Sequence, residues 1–242
     1  MTIALSLRNV SKSFGAIRIA DGIDLDISEN EAVGILGPNG AGKTTILGLV
    51  TGTLSLDAGA VEFRGRDITA LRPEQRCRLG IARAYQVPQP FGDMTVFENL
   101  MVAACFGAGK SIAESQAGCL EILEDCGLAD LANVHAGRLT LLNRKRLELA
   151  RALATKPKIL LLDEIAGGLT QHECDELVAL IRRVHGTGVT IVWIEHVLHA
   201  LMSVVGRALV LYQGKFIADG APADVIREPK VAEIYMGIDT DA

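Results

Sequence analysis

Gly37-Pro38-Asn39-Gly40-Ala41-Gly42-Lys43-Thr44 is the stretch that decides the fold. It fits the pattern G-x-x-x-x-G-K-[S/T], in which the backbone amides of a glycine-rich turn and the helix N-terminus behind them form a site for phosphate oxygens. The flanks give the pattern its context. Glu31-Ala32-Val33-Gly34-Ile35-Leu36 reads as a short, mostly apolar buried strand, and Thr44-Thr45-Ile46-Leu47-Gly48-Leu49-Val50 reads as the opening of a helix. Gly37, Pro38, Asn39, Gly40, Ala41, Gly42, Lys43, Thr44 and Thr45 are the candidate phosphate-binding residues. Lys43 can reach the β- and γ-phosphates and the Thr44 hydroxyl can coordinate Mg²⁺. Strand, loop and helix together predict a nucleoside triphosphate site.

Working outward, the N-terminal third reads as β-rich. Leu5–Val10 and Ile23–Ile27 alternate apolar and polar residues, as half-exposed antiparallel strands do. Ala60–Arg64 and Ile81–Tyr85 add short strands, and Pro88 and Pro90 break regular structure after Gln86. From about Val96 to Leu131 the spacing turns helical, interrupted at Gly107, Gly109 and Gly127, and a further helix runs from near Thr140 to Ala154. Ile159-Leu160-Leu161-Leu162 reads as a parallel strand covered on both faces. The helix Glu173–His185, the strand Val189–Ile194, a helix after His196 and a hairpin from Ala208 to Ala218 complete the alternation of a parallel sheet.

Four residues outside the loop carry further chemistry. Asp163 ends the strand Ile159–Leu162, at the carboxyl end where α/β sheets bind ligands, and can hold Mg²⁺ opposite Thr44. Glu164 is the candidate general base for a water attacking the γ-phosphate, the alternative being an ordinary helix cap. Gln86 offers a neutral amide to Mg²⁺ and water. His196, at a strand's carboxyl end, can hydrogen-bond a γ-phosphate. The expected catalytic set is therefore Glu164, His196 and Gln86, and the expected Mg²⁺ ligands are Thr44, Gln86 and Asp163.

Composition narrows the class. A hydrophobic content of 49% with 22% charged residues is that of a globular protein, and the net charge of −5 argues against a general nucleic-acid surface. Five cysteines without a C-x-x-C pair read as buried reduced thiols rather than a disulfide framework or zinc site. No signal peptide is expected, and no apolar run approaches the roughly 20 residues that span a bilayer. The expected compartment is the cytoplasm.

Phosphate loop, glutamine loop, helical stretch, apolar strand ending in Asp-Glu and strand ending in histidine occur here in an order that closely resembles the ATP-binding-cassette ATPases. The resemblance covers nearly the whole chain. It implies an α/β P-loop NTPase core with a mixed sheet, an N-terminal antiparallel β subdomain and an inserted α-helical subdomain. The expected layout is one domain over residues 1–242, with core and β subdomain at about 1–90 and 155–242 and the helical subdomain at about 91–154. Phe14 in Ser11-Lys12-Ser13-Phe14-Gly15 matches the aromatic that stacks on adenine, the alternative being a core phenylalanine. Arg83-Ala84-Tyr85-Gln86, Asp93–Leu100, Ile194-Glu195-His196 and the closing Val231–Gly237 resemble the ATPase subunits of branched-chain amino acid importers. Urea importers and lipopolysaccharide export ATPases share much of the pattern.

The resemblance implies ATP and Mg²⁺ as ligands and hydrolysis coupled to transport. It further implies transmembrane permease subunits that dock near Gln86–Phe91, a second ATPase subunit, an indirectly engaged periplasmic or extracellular solute-binding protein, no nucleic acid, and a place on the inner face of the plasma membrane. A soluble ATPase acting on DNA or ribosomes is the competing class, but it would carry long coiled coils or a tandem cassette. A low-activity regulatory nucleotide-binding module is a third.

One motif departs from the family. Arg146 and Ala150-Arg151-Ala152-Leu153 place Leu139-Thr140-Leu141-Leu142-Asn143 where members carry Leu-Ser-Gly-Gly-Gln, the signature that caps a γ-phosphate on the opposite subunit. Thr140 keeps a hydroxyl and Asn143 an amide, whereas Leu141 and Leu142 replace glycines. Either the leucines crowd the approach of phosphate, or they point away and the helix still donates its amides. Ile165 and Thr170 also depart, replacing a proline and an acidic or amide residue. The expectation is a heterodimer in which the partner supplies a normal signature, with a homodimer as the alternative.

Overall fold

A computed structural model describes residues 2–236. Met1 and residues 237–242 of the expected 1–242 domain lie outside the described residues, and with them Gly237 of the closing stretch. Along the chain, β1 (Ile3–Phe14), β2 (Ile17–Ser28) and β3 (Ala32–Leu36) precede α1 (Lys43–Thr51). Next come β4 (Ala58–Phe63), β5 (Arg66–Asp67), α2 (Pro73–Leu79) and β6 (Ile81–Ala84). The helical run is α3 (Val96–Val102), a π-helical turn at Ala103–Gly107, α4 (Ile112–Asp125) and α5 (Leu141–Ala154). β7 (Ile159–Asp163), α6 (Gln171–Gly186), β8 (Thr190–Ile194) and α7 (Leu198–Met202) restore the α/β alternation. β9 (Arg207–Tyr212), β10 (Lys215–Gly220), α8 (Pro222–Val225) and α9 (Pro229–Met236) close the described chain.

These elements fall into two compact units. The first runs from the N-terminus to Leu71 and resumes at Thr190. It holds an antiparallel sheet in the order β2-β1-β4-β5. It also holds β3 between the parallel strands β8 and β9, with β10 antiparallel to β9. All five residues of β3 are buried, which is why that strand is a continuous apolar run rather than an alternating one. In β1, by contrast, Leu5, Leu7 and Val10 are buried while Arg8 and Asn9 face solvent. The alternating pattern predicted there belongs to a strand longer than the sequence indicated, because β1 and β2 continue as a hairpin to the turn at Gly15–Ala16.

The second unit, Arg72–Val189, contains the parallel pair β6 and β7 and helices α2 to α6. Three of these helices, α3, α4 and α6, begin with capping boxes: Thr95 with Glu98, Ser111 with Glu114, and Thr170 with Glu173. Each hydroxyl meets an otherwise unpaired helix amide, and each glutamate reaches back to the cap. α2 was not anticipated. Its signals are Pro73 at the first helical position and Gly80 just past the end. Antiparallel β subdomain, mixed sheet and helical segment agree with the α/β P-loop architecture implied by the resemblance.

Candidate functional site

In the first unit, parallel register sets the geometry. Ile35 pairs with Ile194 across β3 and β8, so the loop after Leu36 and the segment Glu195-His196 leave neighbouring strands at the same end. The loop then turns into α1, whose N-cap is Gly42. Gly42 has φ of 100°, and a Cβ there would lie 2.4 Å from Ile19 Cγ2. At Gly37, with φ of 153°, a Cβ would lie 2.3 Å from the Leu211 carbonyl oxygen. Both positions therefore admit only glycine without rearrangement. Lys43 is buried, and its ammonium donates to the carbonyls of Gly37 at 2.7 Å and Pro38 at 3.0 Å. No side chain caps α1 and no acidic residue occupies its first turn, so the helix end keeps its positive character.

Thr44 and Thr45 follow Lys43 in the first turn of α1, Thr44 exposed. Asn39 and Gly40 are exposed at the loop tip, with Ala41 buried behind them. Phe14 ends β1 at 48% exposure, with the Lys12 ammonium 5.6 Å from its ring centre. Phe14 is thus not the core phenylalanine of the alternative reading; its ring is open to a planar ligand. His196 is exposed, and its backbone N–H donates to buried Glu195 at 3.0 Å. Glu195, a residue missed in the sequence, also accepts the Val197 N–H at 3.3 Å and so shapes the turn that presents the imidazole.

In the second unit, too, parallel register sets the geometry. Ala84 pairs with Leu162 in the parallel register of β6 and β7, so Gln86 and the pair Asp163-Glu164 emerge together. Asp163 is buried and forms an ion pair with Arg83, whose guanidinium also stacks on Tyr85. Glu164 has φ of 47°, in the left-handed region that non-glycine residues rarely occupy. Such local strain clusters at functional sites. Gln86 Nε2 donates to Glu164 Oε2 at 2.6 Å. Gln86, Glu148, Arg151 and Asp163 share the lining of a cleft of about 500 Å³.

The altered signature lies at the N-terminus of α5. Thr140 is the N-cap, and its hydroxyl accepts the Asn143 N–H at 3.4 Å. Leu141 and Leu142 are already helical, so no positive φ calls for glycine there. Leu141 is 45% exposed. Thr170 caps α6, which gives this substituted position a structural role. Burial of the five cysteines is mixed: Cys119, Cys126 and Cys174 are buried while Cys77 and Cys105 are partly accessible, and all five are free thiols. Burial pushes the Cys126 thiol up to about 12.

Three further residues had no assigned role from the sequence, Arg151 having served only to set the register of the altered signature. Lys145, Glu148 and Arg151 lie on one face of α5 and reach the loop that carries Gln86. Their spacing of three along α5 places them together, but a run of polar residues at 143–146 hides that face in the sequence.

A protein-family model described as ABC transporter matches residues 20–167. The branched-chain amino acid transport ATP-binding protein BraF of Pseudomonas aeruginosa is 35% identical, covering 96% of this chain and 97% of its own length. LivG of Salmonella typhimurium, another high-affinity branched-chain amino acid transport ATP-binding protein, is also 35% identical over the same shares. A crystal structure of the ADP conformation of an ATP-binding cassette of an ABC transporter superposes with a TM-score of 0.89 at 31% identity, covering 98% of this chain and 100% of that one.

Proposed function

From the premise that the chain belongs to the ABC transporter family of ATP-binding subunits, which bind and hydrolyse ATP, we propose that it powers an importer of branched-chain amino acids or related small polar solutes. In this reading residues 1–242 form one ATPase domain, its helical subdomain at about 91–154. Gly37–Thr45 hold the phosphates, Lys43 balances the charge of the β- and γ-phosphates, and Phe14 stacks on adenine. Glu164 takes the proton of the water that attacks the γ-phosphate, Gln86 orients that carboxylate and the water, and His196 hydrogen-bonds the γ-phosphate.

The donor set suits Mg²⁺, a hard cation that prefers oxygen. Thr44 offers a hydroxyl and Asp163 a carboxylate. With its nitrogen committed to Glu164, Gln86 offers its amide oxygen. When bound, Mg²⁺ neutralises charge developing on the phosphates. The observation that most supports hydrolysis is the Gln86–Glu164 hydrogen bond on a left-handed Glu164 backbone.

Transport follows from partners. Permease subunits receive the motion near Gln86–Phe91, where Val87 and Phe91 are exposed at 64% and 47%. A second ATPase subunit supplies the intact signature, so the working unit is a heterodimer on the inner face of the plasma membrane. A solute-binding protein delivers substrate on the far side. No described helix is long and apolar enough to cross a membrane.

The test is Glu164→Gln. It is expected to lower hydrolysis by roughly 10²- to 10⁴-fold while ATP binding persists. Steady turnover surviving that change would reject Glu164 as the base. Substrate-stimulated ATPase activity in reconstituted importer, with branched-chain amino acids compared against urea, tests the transport assignment.

A further inference from the structure

The backbone of Tyr85–Gln89 lies outside any helix or strand, and Pro88 within it and Pro90 after it lack the N–H that a ladder uses. Polar backbone groups next to buried structure still require partners. One face of α5 supplies them. Lys145, only 4% exposed, donates from Nζ to the Gln86 carbonyl at 3.3 Å. Glu148, 6% exposed, lies where the nearby backbone N–H groups of Tyr85 and Gln89 favour its charged form. Arg151 Nη1 donates to the Gln89 carbonyl at 3.0 Å and to Glu148 Oε2 at 3.0 Å. Residues 145, 148 and 151 are successive steps of three along the helix and so share a face. Two carbonyls of one short loop are thereby held by Lys145 and Arg151, with the Glu148 carboxylate bound to Arg151 beside them.

We propose that Lys145, Glu148 and Arg151 are positioning residues for ATP hydrolysis, clamping the Tyr85–Gln89 backbone so that the Gln86 amide is presented to Glu164. This rests on the reading of Glu164 as the base. The clamp stands two bonds from the chemistry: α5 holds the loop, the loop carries Gln86, and Gln86 meets Glu164 at 2.6 Å. Pre-set geometry is what hydrolysis of this kind requires, since the protein contributes by positioning and electrostatics.

Energetics separates this role from simple packing. Burial pushes the Glu148 carboxyl above its ordinary range, despite Arg151 and the two N–H donors. A raised folded-state value means that the stability it contributes is fully present below the unfolded carboxylate range and is lost as pH rises through the folded value. Burial thus disfavours the charged carboxylate in the folded chain. A residue serving the fold alone would be better replaced by an apolar one of similar size.

The experiment uses the full chain, alone and with its partner ATPase, carrying Glu148→Ala, Glu148→Gln, Lys145→Met or Lys145→Arg. Hydrogen–deuterium exchange of the segment 84–92 is read beside kcat, the KM for ATP and the thermal midpoint. Glu148→Ala is expected to speed exchange at the Tyr85 and Gln89 amides at least about tenfold. Its kcat is expected to fall roughly ten- to a hundredfold while the KM for ATP stays within about twofold. Lys145→Arg should recover most of what Lys145→Met loses. Glu148→Gln keeps the shape of the side chain and is expected to lower kcat without lowering the thermal midpoint; it decides the matter if the alanine variant fails to fold.

Unchanged exchange would overturn the clamp. Faster exchange with unchanged kcat would overturn its positioning role. Loss of kcat in step with loss of thermal midpoint would reduce these residues to packing. Hydrolysis surviving Glu164→Gln would instead overturn the assignment of the base, and the exchange data would still report on the clamp.

Discussion

Gly42 and Thr140 each open a helix, and neither α1 nor α5 has an acidic residue in its first turn. Both ends carry the positive pole of a helix dipole. They differ in what the first amides meet. At α1 the cap is a glycine with no side-chain bond, packed so closely that a Cβ would strike Ile19. At α5 the Thr140 hydroxyl takes the Asn143 amide, and Leu141 stands partly exposed beside it. A helix N-terminus is thus a phosphate site only where its amides are uncovered and the approach is clear. In this chain α1 opens on a glycine cap without a side-chain bond, whereas α5 opens on the Thr140 hydroxyl and an exposed Leu141.

The largest expected effect breaks the first half of that comparison. Lys43→Ala removes the buried ammonium from its loop and is expected to abolish measurable hydrolysis, a loss of about 10³-fold or more. Nucleotide titration with a fluorescent ATP analogue should show weakened binding as well. Gly42→Ala comes next. The left-handed backbone and the contact with Ile19 predict a strain of about 1–3 kcal/mol, read as lower nucleotide affinity and a lower thermal midpoint. Normal affinity in Gly42→Ala would mean that the close approach at α1 is not required.

Smaller effects sharpen the second half. Leu141→Gly with Leu142→Gly opens the approach at α5 while costing roughly 1 kcal/mol of helix stability per residue. The prediction is opposite signs: a lower thermal midpoint for the chain, and several-fold faster hydrolysis at the partner's nucleotide, equivalent to about 1 kcal/mol. Thr140→Ala removes only the cap and should lower stability by about 0.5–2 kcal/mol, measured by chemical denaturation.

Much of this was legible because the phosphate loop and its flanking strand obey local rules. A glycine-rich turn after an apolar run, and an Asp-Glu pair after another, need no tertiary information. The strands β3, β7 and β8 were equally plain, since full burial in a parallel setting makes them continuously apolar. The hairpin of β1 and β2 extends beyond the predicted strands, because at its outer end the apolar Phe14 and Ile17 are exposed and make no buried alternation. The Lys145–Glu148–Arg151 face was overlooked for a different reason. Those residues look like the solvated side of an amphipathic helix until the loop they hold is seen. The exposure of Phe14 likewise depended on the hairpin that carries it, which local composition does not reveal.

The measurement that bears most directly on the central claim is ATP turnover in the heterodimer with one catalytic glutamate replaced at a time. This chain retains its own phosphate loop and Glu164, while in the proposed heterodimer Leu141 and Leu142 would serve the partner's nucleotide poorly. Replacing the partner's catalytic glutamate with glutamine is therefore expected to leave most turnover intact, whereas Glu164→Gln is expected to remove it. Equal losses from the two replacements, or high cooperative turnover by this chain in the absence of any partner, would contradict the account.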